Sequence, residues 1–396
     1  MSVRSPRELD WHLECAACGN TRGASGLPTV CDCGQPWLVR YQGRKPGLRD
    51  RDVVQRRQGM WRFREFLPLM PDENPVTLGE GDTPLLAIPR SGTRIGLPRL
   101  LLKDESANPT GSFKARGLSA AITRATAAGA NRFTLPTAGN AGVAAAAYAA
   151  RAGAPVRVFA PDSTPPTLLA QIVSYGGDLV LLGGHIGDCG KASRAWAAES
   201  GACDLSTLRE PYRIEGKKTL GLELALQLSW RLPDAILYPA GGGTGLIGMW
   251  KAFLELLALG WVEGRLPRLY AVQSTGCAPV VRAVEQGRDR CEPWIDPQTV
   301  ASGLRVPAPL GDRLMLRAIA ETGGGAVAVE DADLQAEATR LMREEGVDCS
   351  PEGGASIVAA AELVRRGVLD EGETVIAFNT GGGWLYRNPG DLLGGR

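Results

Sequence analysis

The chain has 396 residues, of which 44 % are hydrophobic and 22 % charged, with a formal net charge of +1 and a pI near 7.5. That length divides into two or three units of roughly 100–200 residues, and the near-zero charge offers no basic face for nucleic acid. No run of about 18 apolar residues is available to cross a bilayer, and Met1-Ser2-Val3-Arg4-Ser5-Pro6 lacks the charged-then-apolar order of a signal peptide, so a cytoplasmic protein with no membrane partner is expected.

Residues 1–45 read as a strand-and-turn segment carrying four of the nine cysteines. Cys15-x2-Cys18 and Cys31-x-Cys33 bracket a Gly/Pro-containing loop, and Gly19 and Gly34 follow them as the small residues that a metal knuckle requires. The layout is zinc-ribbon-like and predicts a structural zinc on Cys15, Cys18, Cys31 and Cys33, the alternative being free thiols in a degenerate knuckle. Cys189, Cys203, Cys277, Cys291 and Cys349 are scattered, as expected of buried apolar fillers. Arg44 to Asp52 reads as a charged connector into the body of the chain at 46–396.

From about residue 98 short apolar runs alternate with longer Ala/Leu-rich amphipathic ones. Strands are predicted at 100–102, 133–135, 156–159 and 179–182, each followed by a helix, at 117–129, 141–152, 164–175 and 187–200. Further strands are predicted at 235–239, 269–273 and 374–378. The repetition indicates an α/β protein with parallel sheets covered by helices. In such sheets ligands sit beyond the carboxyl ends of the strands, and three glycine-bearing loops fall there: Thr137-Ala138-Gly139-Asn140-Ala141-Gly142, Gly241-Gly242-Gly243-Thr244-Gly245 and Asn379-Thr380-Gly381-Gly382-Gly383.

Seven lysines occur, at 45, 103, 114, 191, 217, 218 and 251, in a chain that otherwise takes its positive charge from arginine. Lys114 stands out because Asn108-Pro109-Thr110-Gly111-Ser112-Phe113 presents it just past a turn, and lysine, unlike arginine, can form a Schiff base. Alone it also fits an exposed residue at a helix start. Successive glycine N–H groups and a helix N-terminus can hold a phosphate at Gly241, Gly242, Gly243 and Gly245, with Thr244 as hydroxyl donor, although the loop would also serve as a tight turn. No Walker loop or G-x-G-x-x-G fingerprint is present. A phosphorylated aldehyde explains lysine and loop together, and pyridoxal 5′-phosphate is that cofactor. Lys114 would then be both anchor and base, Asn140 would donate to the ring's phenolate oxygen and Thr380 would face the ring nitrogen. The competing readings are a helix N-cap for Asn140 and an ordinary turn for Thr380. With two histidines, His12 and His185, far from these loops, lysine must carry the proton work.

These residues resemble the fold type II pyridoxal-phosphate enzymes, and within them the threonine synthases. Leu78-Gly79-Glu80-Gly81-Asp82-Thr83-Pro84-Leu85, Lys103-Asp104-Glu105, the lysine motif at 108–117, the asparagine loop at 137–142, Arg213-Ile214-Glu215-Gly216-Lys217-Lys218-Thr219 and Pro351-Glu352-Gly353 occur in the family's order. The resemblance covers about 10–386. It implies two open parallel-sheet α/β domains, with a smaller mobile subdomain at about 115–210 inserted in a larger cofactor-binding one. It also implies a homodimer acting on a small amino-acid substrate, with conversion of O-phospho-L-homoserine to threonine. Lys103, Arg116, Thr137, Arg213, Lys217 and Arg305 are the candidates for holding that substrate.

Three motifs depart from the family. Ala138 and Ala141 stand where Ser-Ser-Gly-Asn-Thr places hydroxyls. Gly241–Gly245 resembles serine/threonine dehydratases as much as the Gly-Asn-x-Gly-Asn form, and Gly382 stands where histidine is frequent. A β-eliminating or β-replacing relative, such as a serine/threonine dehydratase, an ammonia lyase or a cysteate-synthase-like enzyme, therefore stays open. A zinc-ribbon binding module on a catalytically idle body is the third reading.

Overall fold

The computed structural model describes residues 9–41, 50–56 and 58–387. Most of the expected connector at 44–52, and the leader reading at 1–6, fall outside them. The cysteine-bearing segment forms an antiparallel sheet of β1 (Trp11–Cys15), β2 (Thr21–Gly23) and β3 (Trp37–Tyr41), ordered β2-β1-β3. Alternate residues of β1 are buried, the period-2 pattern of a strand with one packed face. A short helix α1 (Asp50–Val54) and a 3₁₀ turn at Met60–Phe66 lead to β4 (Leu85–Ala87), α2 (Pro89–Ile95) and β5 (Leu100–Asp104).

The next stretch keeps the predicted alternation: α3 (Lys114–Ala127), β6 (Phe133–Pro136), α4 (Asn140–Arg151), β7 (Val156–Pro161), α5 (Pro166–Ser174), β8 (Asp178–Leu182), α6 (Ile186–Ser200) and β9 (Cys203–Asp204). Its four strands make a parallel sheet ordered β8-β7-β6-β9. The alanines of α4 are buried almost throughout, and such small side chains let a helix lie close against its sheet.

The chain then returns through α7 (Tyr212–Gln227), β10 (Ala235–Pro239), α8 (Thr244–Leu259), β11 (Arg268–Ser274), α9 (Pro279–Glu285), α10 (Asp312–Glu321), β12 (Gly325–Val329), α11 (Asp331–Glu345), α12 (Pro351–Arg365) and β13 (Val375–Asn379). These strands, with β5 and β4, form a six-stranded sheet ordered β12-β11-β10-β13-β5-β4, parallel except for the edge pair β4–β5. β10 and β13 are buried along their whole length, which is why they read as unbroken apolar runs. Of the five scattered cysteines expected to be buried, Cys189, Cys277 and Cys349 are, whereas Cys203 and Cys291 are half-exposed.

Candidate active site

β5 and β13 are parallel neighbours, so the loops at their carboxyl ends are brought side by side. Phe113 N donates to Thr380 O at 3.1 Å and Gly382 N donates to Gly111 O at 2.9 Å. Lys114, the first residue of α3, and Thr380 thereby meet although 266 positions separate them. The first residue of α4 arrives at the same place. Asn140 Nδ2 donates to Tyr386 Oη at 3.0 Å, and a Cβ on Gly381 would stand 3.5 Å from it. Asn140 Oδ1 and Ser112 Oγ are buried with no protein partner among the described residues, and a buried orphan of that kind calls for a missing ligand or water.

The glycine loop after β10 is shaped by what crowds it. A Cβ on Gly241 would lie 2.1 Å from Gly303 O, and one on Gly245 would lie 2.0 Å from Tyr238 Oη. Gly243 has φ +70° and a Cβ there would fall 1.9 Å from Met315 Sδ of α10, so both backbone and space demand glycine. Thr244 opens α8 and is buried. Tyr238, beneath the loop, meets the Phe113 ring edge-on at 6.0 Å, which ties the loop to the lysine. Orphaned polar atoms, a bare backbone cup at a helix start and an adjacent lysine fit a phosphorylated aldehyde.

The electrostatics favour a neutral amine. Burial pushes Lys114 down to about 7, the charge of Arg213 adds to this and Glu352 opposes it. Its Nζ lies 4.2 Å from the centre of the Phe113 ring, as does that of Lys217. Lys217 is fully buried and donates to Phe113 O. Arg213 donates from Nη1 to Leu205 O at 2.7 Å, while its Nε is buried without a partner among the described residues. Glu352 accepts from Gly303 N at 2.8 Å, and burial raises its carboxyl above the usual range.

Several expected substrate residues are employed elsewhere. Lys103 is buried, pairing with Glu223 at 2.5 Å and donating to Thr83 O at 2.7 Å. Arg116, also buried, grips Glu105 with two bonds of 2.7 Å and Glu223 with two of 3.0 Å. Neither has a donor to spare for a substrate, so both are corrected to members of a core ion-pair network. Thr137 Oγ1 accepts from Gly139 N and Gly142 N at 3.0 and 2.9 Å and donates to Gly139 O at 3.0 Å, so its hydroxyl is taken up in shaping the asparagine loop. Arg213 and Lys217 remain beside Lys114. Arg305 is half-buried in the loop whose Gly303 walls the phosphate cup.

Ser112, Glu352 and Tyr386 join the site without having stood out in the sequence as site residues. Glu352 belongs to the Pro351-Glu352-Gly353 motif, but a carboxylate beside a cation-rich lysine gives no local pattern, and Tyr386 is positioned by the segment after β13 alone. A cavity of about 1160 Å³ lined by Arg56, Trp61, Arg62, Arg64 and Arg151 shares no residue with this site.

In the N-terminal sheet, the sulfurs of Cys15, Cys18, Cys31 and Cys33 lie within 4.8 Å of one another. Cys15–Cys33 and Cys18–Cys31 are 3.4 and 3.7 Å apart. Four thiolates about 2.3 Å from a tetrahedral zinc would be about 3.8 Å apart, so the set fits that metal.

A family model described as "Pyridoxal-phosphate dependent enzyme" matches residues 76–381. The threonine synthase of Methanocaldococcus jannaschii is 31 % identical over 93 % of this chain and 91 % of its own length, and that of Methanosarcina acetivorans is 32 % identical over 97 % and 94 %. Among solved structures, maize serine racemase superposes with a TM-score of 0.66 at 22 % identity over 78 % of this chain and 90 % of its own, a likeness of fold alone.

Proposed function

The chain belongs to the threonine synthase family of pyridoxal-phosphate-dependent enzymes, and from that premise we propose how its residues turn O-phospho-L-homoserine and water into L-threonine and phosphate. The observation that carries the reading is the convergence of Lys114, Asn140 and Thr380 beside the Gly241–Gly245 cup, with the lysine amine pushed down to about 7.

Pyridoxal phosphate, when bound, withdraws electrons from the substrate's α-carbon and so acidifies the proton there and, in turn, those on the β-carbon. The residues of the chain do the rest. Gly241, Gly242, Gly243, Thr244 and Gly245 would hold the cofactor's phosphate with backbone N–H groups and one hydroxyl. Asn140 would donate to the ring oxygen, and Thr380 would present a neutral hydroxyl to the ring nitrogen. Lys114, released from the cofactor by the substrate amine, would take the α-proton and then a β-proton so that phosphate can leave the γ-carbon. It would return a proton to that carbon and take one from the water that adds at the β-carbon before the α-proton is restored; an amine neutral near pH 7 is suited to both directions of transfer. Arg213 and Lys217, with Arg305 at the rim, would hold the phosphate that departs from the γ-carbon. Tyr386 keeps Asn140 oriented.

The finer assignments belong with this reading. Cys15, Cys18, Cys31 and Cys33 hold a structural zinc, supported by their spacing and by knuckle glycines with positive φ at Gly19 and Gly34. The catalytic body spans 46–396, with a subdomain at about 115–210 that moves to admit the substrate. The enzyme works as a cytoplasmic homodimer. No helix among the described residues is long and apolar enough to cross a membrane.

The deciding experiment is incubation of the holoenzyme with O-phospho-L-homoserine and measurement of threonine and inorganic phosphate together. Equimolar appearance of both is expected. Ammonia and a 2-oxo acid formed from serine or threonine, with no phosphate released from phosphohomoserine, would move the activity to β-elimination and make Ala138 and Ala141 its cause.

A further inference from the structure

The N-terminal sheet packs through both faces of β3. Trp37 and Val39 join the apolar cluster that contains Leu118 of α3 and Val143 of α4, while Leu38 between them joins the one that holds Phe113 and Ile214. Two hydrogen bonds then reach α7. Tyr41 Oη donates to Glu215 Oε2 at 2.7 Å, and Tyr212 Oη donates to Ala24 O at 3.1 Å. Residues 212 and 215 are three apart and share one side of the helix.

Glu215 is fully buried and pairs with Lys218 at 2.8 Å and Lys251 at 3.0 Å. Both lysines also pair with Glu255, and both ammonium groups lie over the Tyr41 ring, 4.4 and 5.2 Å from its centre. Tyr41 therefore supplies a hydroxyl and a ring face to a buried cluster built from α7 and α8. Buried networks of this kind fix geometry; here both hydrogen bonds to Glu215 end on Oε2, and Oε1 is held by its ion pair with Lys251.

The other side of α7 meets the active centre. A Cβ on Gly216 would fall 2.0 Å from Arg116 O, and one on Gly117 would fall 2.9 Å from Lys217 Cε, so α7 and the first turn of α3 touch with no slack. Lys217 donates to the carbonyl of Phe113, the residue before Lys114. A shift of α7 is accordingly a shift of the charges around Lys114.

We propose that Tyr41 is a positioning residue for the reaction: its hydroxyl, through Glu215, sets the rotation and height of α7 and thereby holds Arg213 and Lys217 beside Lys114. The proposal rests on the reading of Lys114 as the catalytic lysine, and it makes the cysteine-bearing sheet a working part of the catalytic centre.

The test compares Tyr41→Phe, which removes one oxygen and keeps the ring over both lysines, with Val39→Ala, which loosens β3 without touching Glu215. For Tyr41→Phe, kcat falls about tenfold, a misplacement of well under 1 Å by the scale on which 1 Å costs about a hundredfold. Affinity for pyridoxal phosphate, measured by fluorescence, weakens as well. The groups facing Lys114 are Arg213, Lys217 and Glu352; as the two cations drift away, the acid limb of the kcat profile moves to higher pH. Val39→Ala lowers the melting temperature at least as much and leaves kcat and the pH profile within twofold of the wild type. A Tyr41→Phe enzyme with kcat, cofactor affinity and pH profile unchanged overturns the proposal, as does a Val39→Ala enzyme with the same kinetic changes. Failure of the underlying reading looks different: wild-type protein would take up no pyridoxal phosphate at all.

Discussion

Replacing Arg116 by methionine tests whether the residue belongs to the substrate or to the core. Its guanidinium makes four bonds to Glu105 and Glu223 and two more, at 3.1 Å each, to Thr219 Oγ1 and Thr83 Oγ1. Together with Lys103 the network carries two positive and two negative charges, all fully buried. Methionine fills a similar volume but leaves the sum at −1. Lys103 still neutralises Glu223, whereas Glu105 keeps only the neutral donors Thr83 Oγ1 at 2.5 Å and Asn108 Nδ2 at 2.9 Å. Removing one partner of a buried pair costs about 3–5 kcal/mol, because a charge is stranded.

The pH dependence gives this cost a signature. In the wild type Glu105 and Glu223 are held below the usual carboxylate range against burial, chiefly by the charge of Arg116. Their stabilisation is present above the unfolded carboxylate range, about 4.3, and is lost as pH falls toward their folded values. In Arg116→Met the stranded Glu105 is raised instead, so that variant gains stability as pH falls from 8 toward 5 and the gap to the wild type narrows. Urea unfolding of cofactor-free protein at pH 8 and pH 5.5, monitored by circular dichroism, measures both. A difference below about 1 kcal/mol at pH 8, with KM for O-phospho-L-homoserine raised, would refute the argument and return Arg116 to the substrate.

Lys114→Ala abolishes the visible absorbance of bound cofactor together with turnover; retention of either, in a spectrum and an activity assay, would remove the lysine from the mechanism. Because the amine of Lys114 is pushed down to about 7 and acts as a base when neutral, after the substrate has released it, kcat rises with pH through about 7, and Arg213→Gln moves that rise to higher pH by removing a neighbouring positive charge; a flat kcat profile from pH 6 to 8 contradicts this. Gly243→Ala, strained at φ +70° and pressed on Met315, weakens pyridoxal phosphate binding at least tenfold in a fluorescence titration, with a smaller effect on the unliganded fold. Cys15→Ser releases the zinc expected in the wild type at one ion per chain, as read by elemental analysis, and a wild-type content of zero would dismiss the site.

The parallel sheets were legible because β6, β10 and β13 are short, largely apolar runs and each is followed by a glycine-bearing loop, a pattern set by local chemistry. Asn140, Gly241–Gly245 and Thr380 stand out in the sequence because each comes just after a strand, and Lys114 because a turn-rich stretch presents it at a helix start. The rest was decided at long range. Lys103 and Arg116 look like phosphate ligands in the sequence because nothing nearby indicates that Glu223, more than 100 positions later, claims them. Thr137 looks available in the sequence, yet its hydroxyl accepts from two amides of its own loop. Tyr386 and Glu352 acquire meaning only through the neighbours that tertiary packing gives them.

The position of β13 has a consequence for how the molecule comes into being. It is the last strand among the described residues, yet it lies in the middle of the six-stranded sheet, between β10 and β5. Until it arrives, β5 and β10 each expose an unpaired edge, and the lysine at the start of α3 has no Thr380 beside it. A nascent chain can complete the smaller sheet, whose strands lie between residues 133 and 204, well before it can close the larger one. Synthesis must proceed beyond residue 379 before the two edges are sealed, so the growing polypeptide carries open β-edges that invite aggregation and call for a chaperone. Premature stop codons upstream of β13 should therefore yield insoluble fragments instead of partly active enzyme, and no lysine of such a fragment would be poised for catalysis.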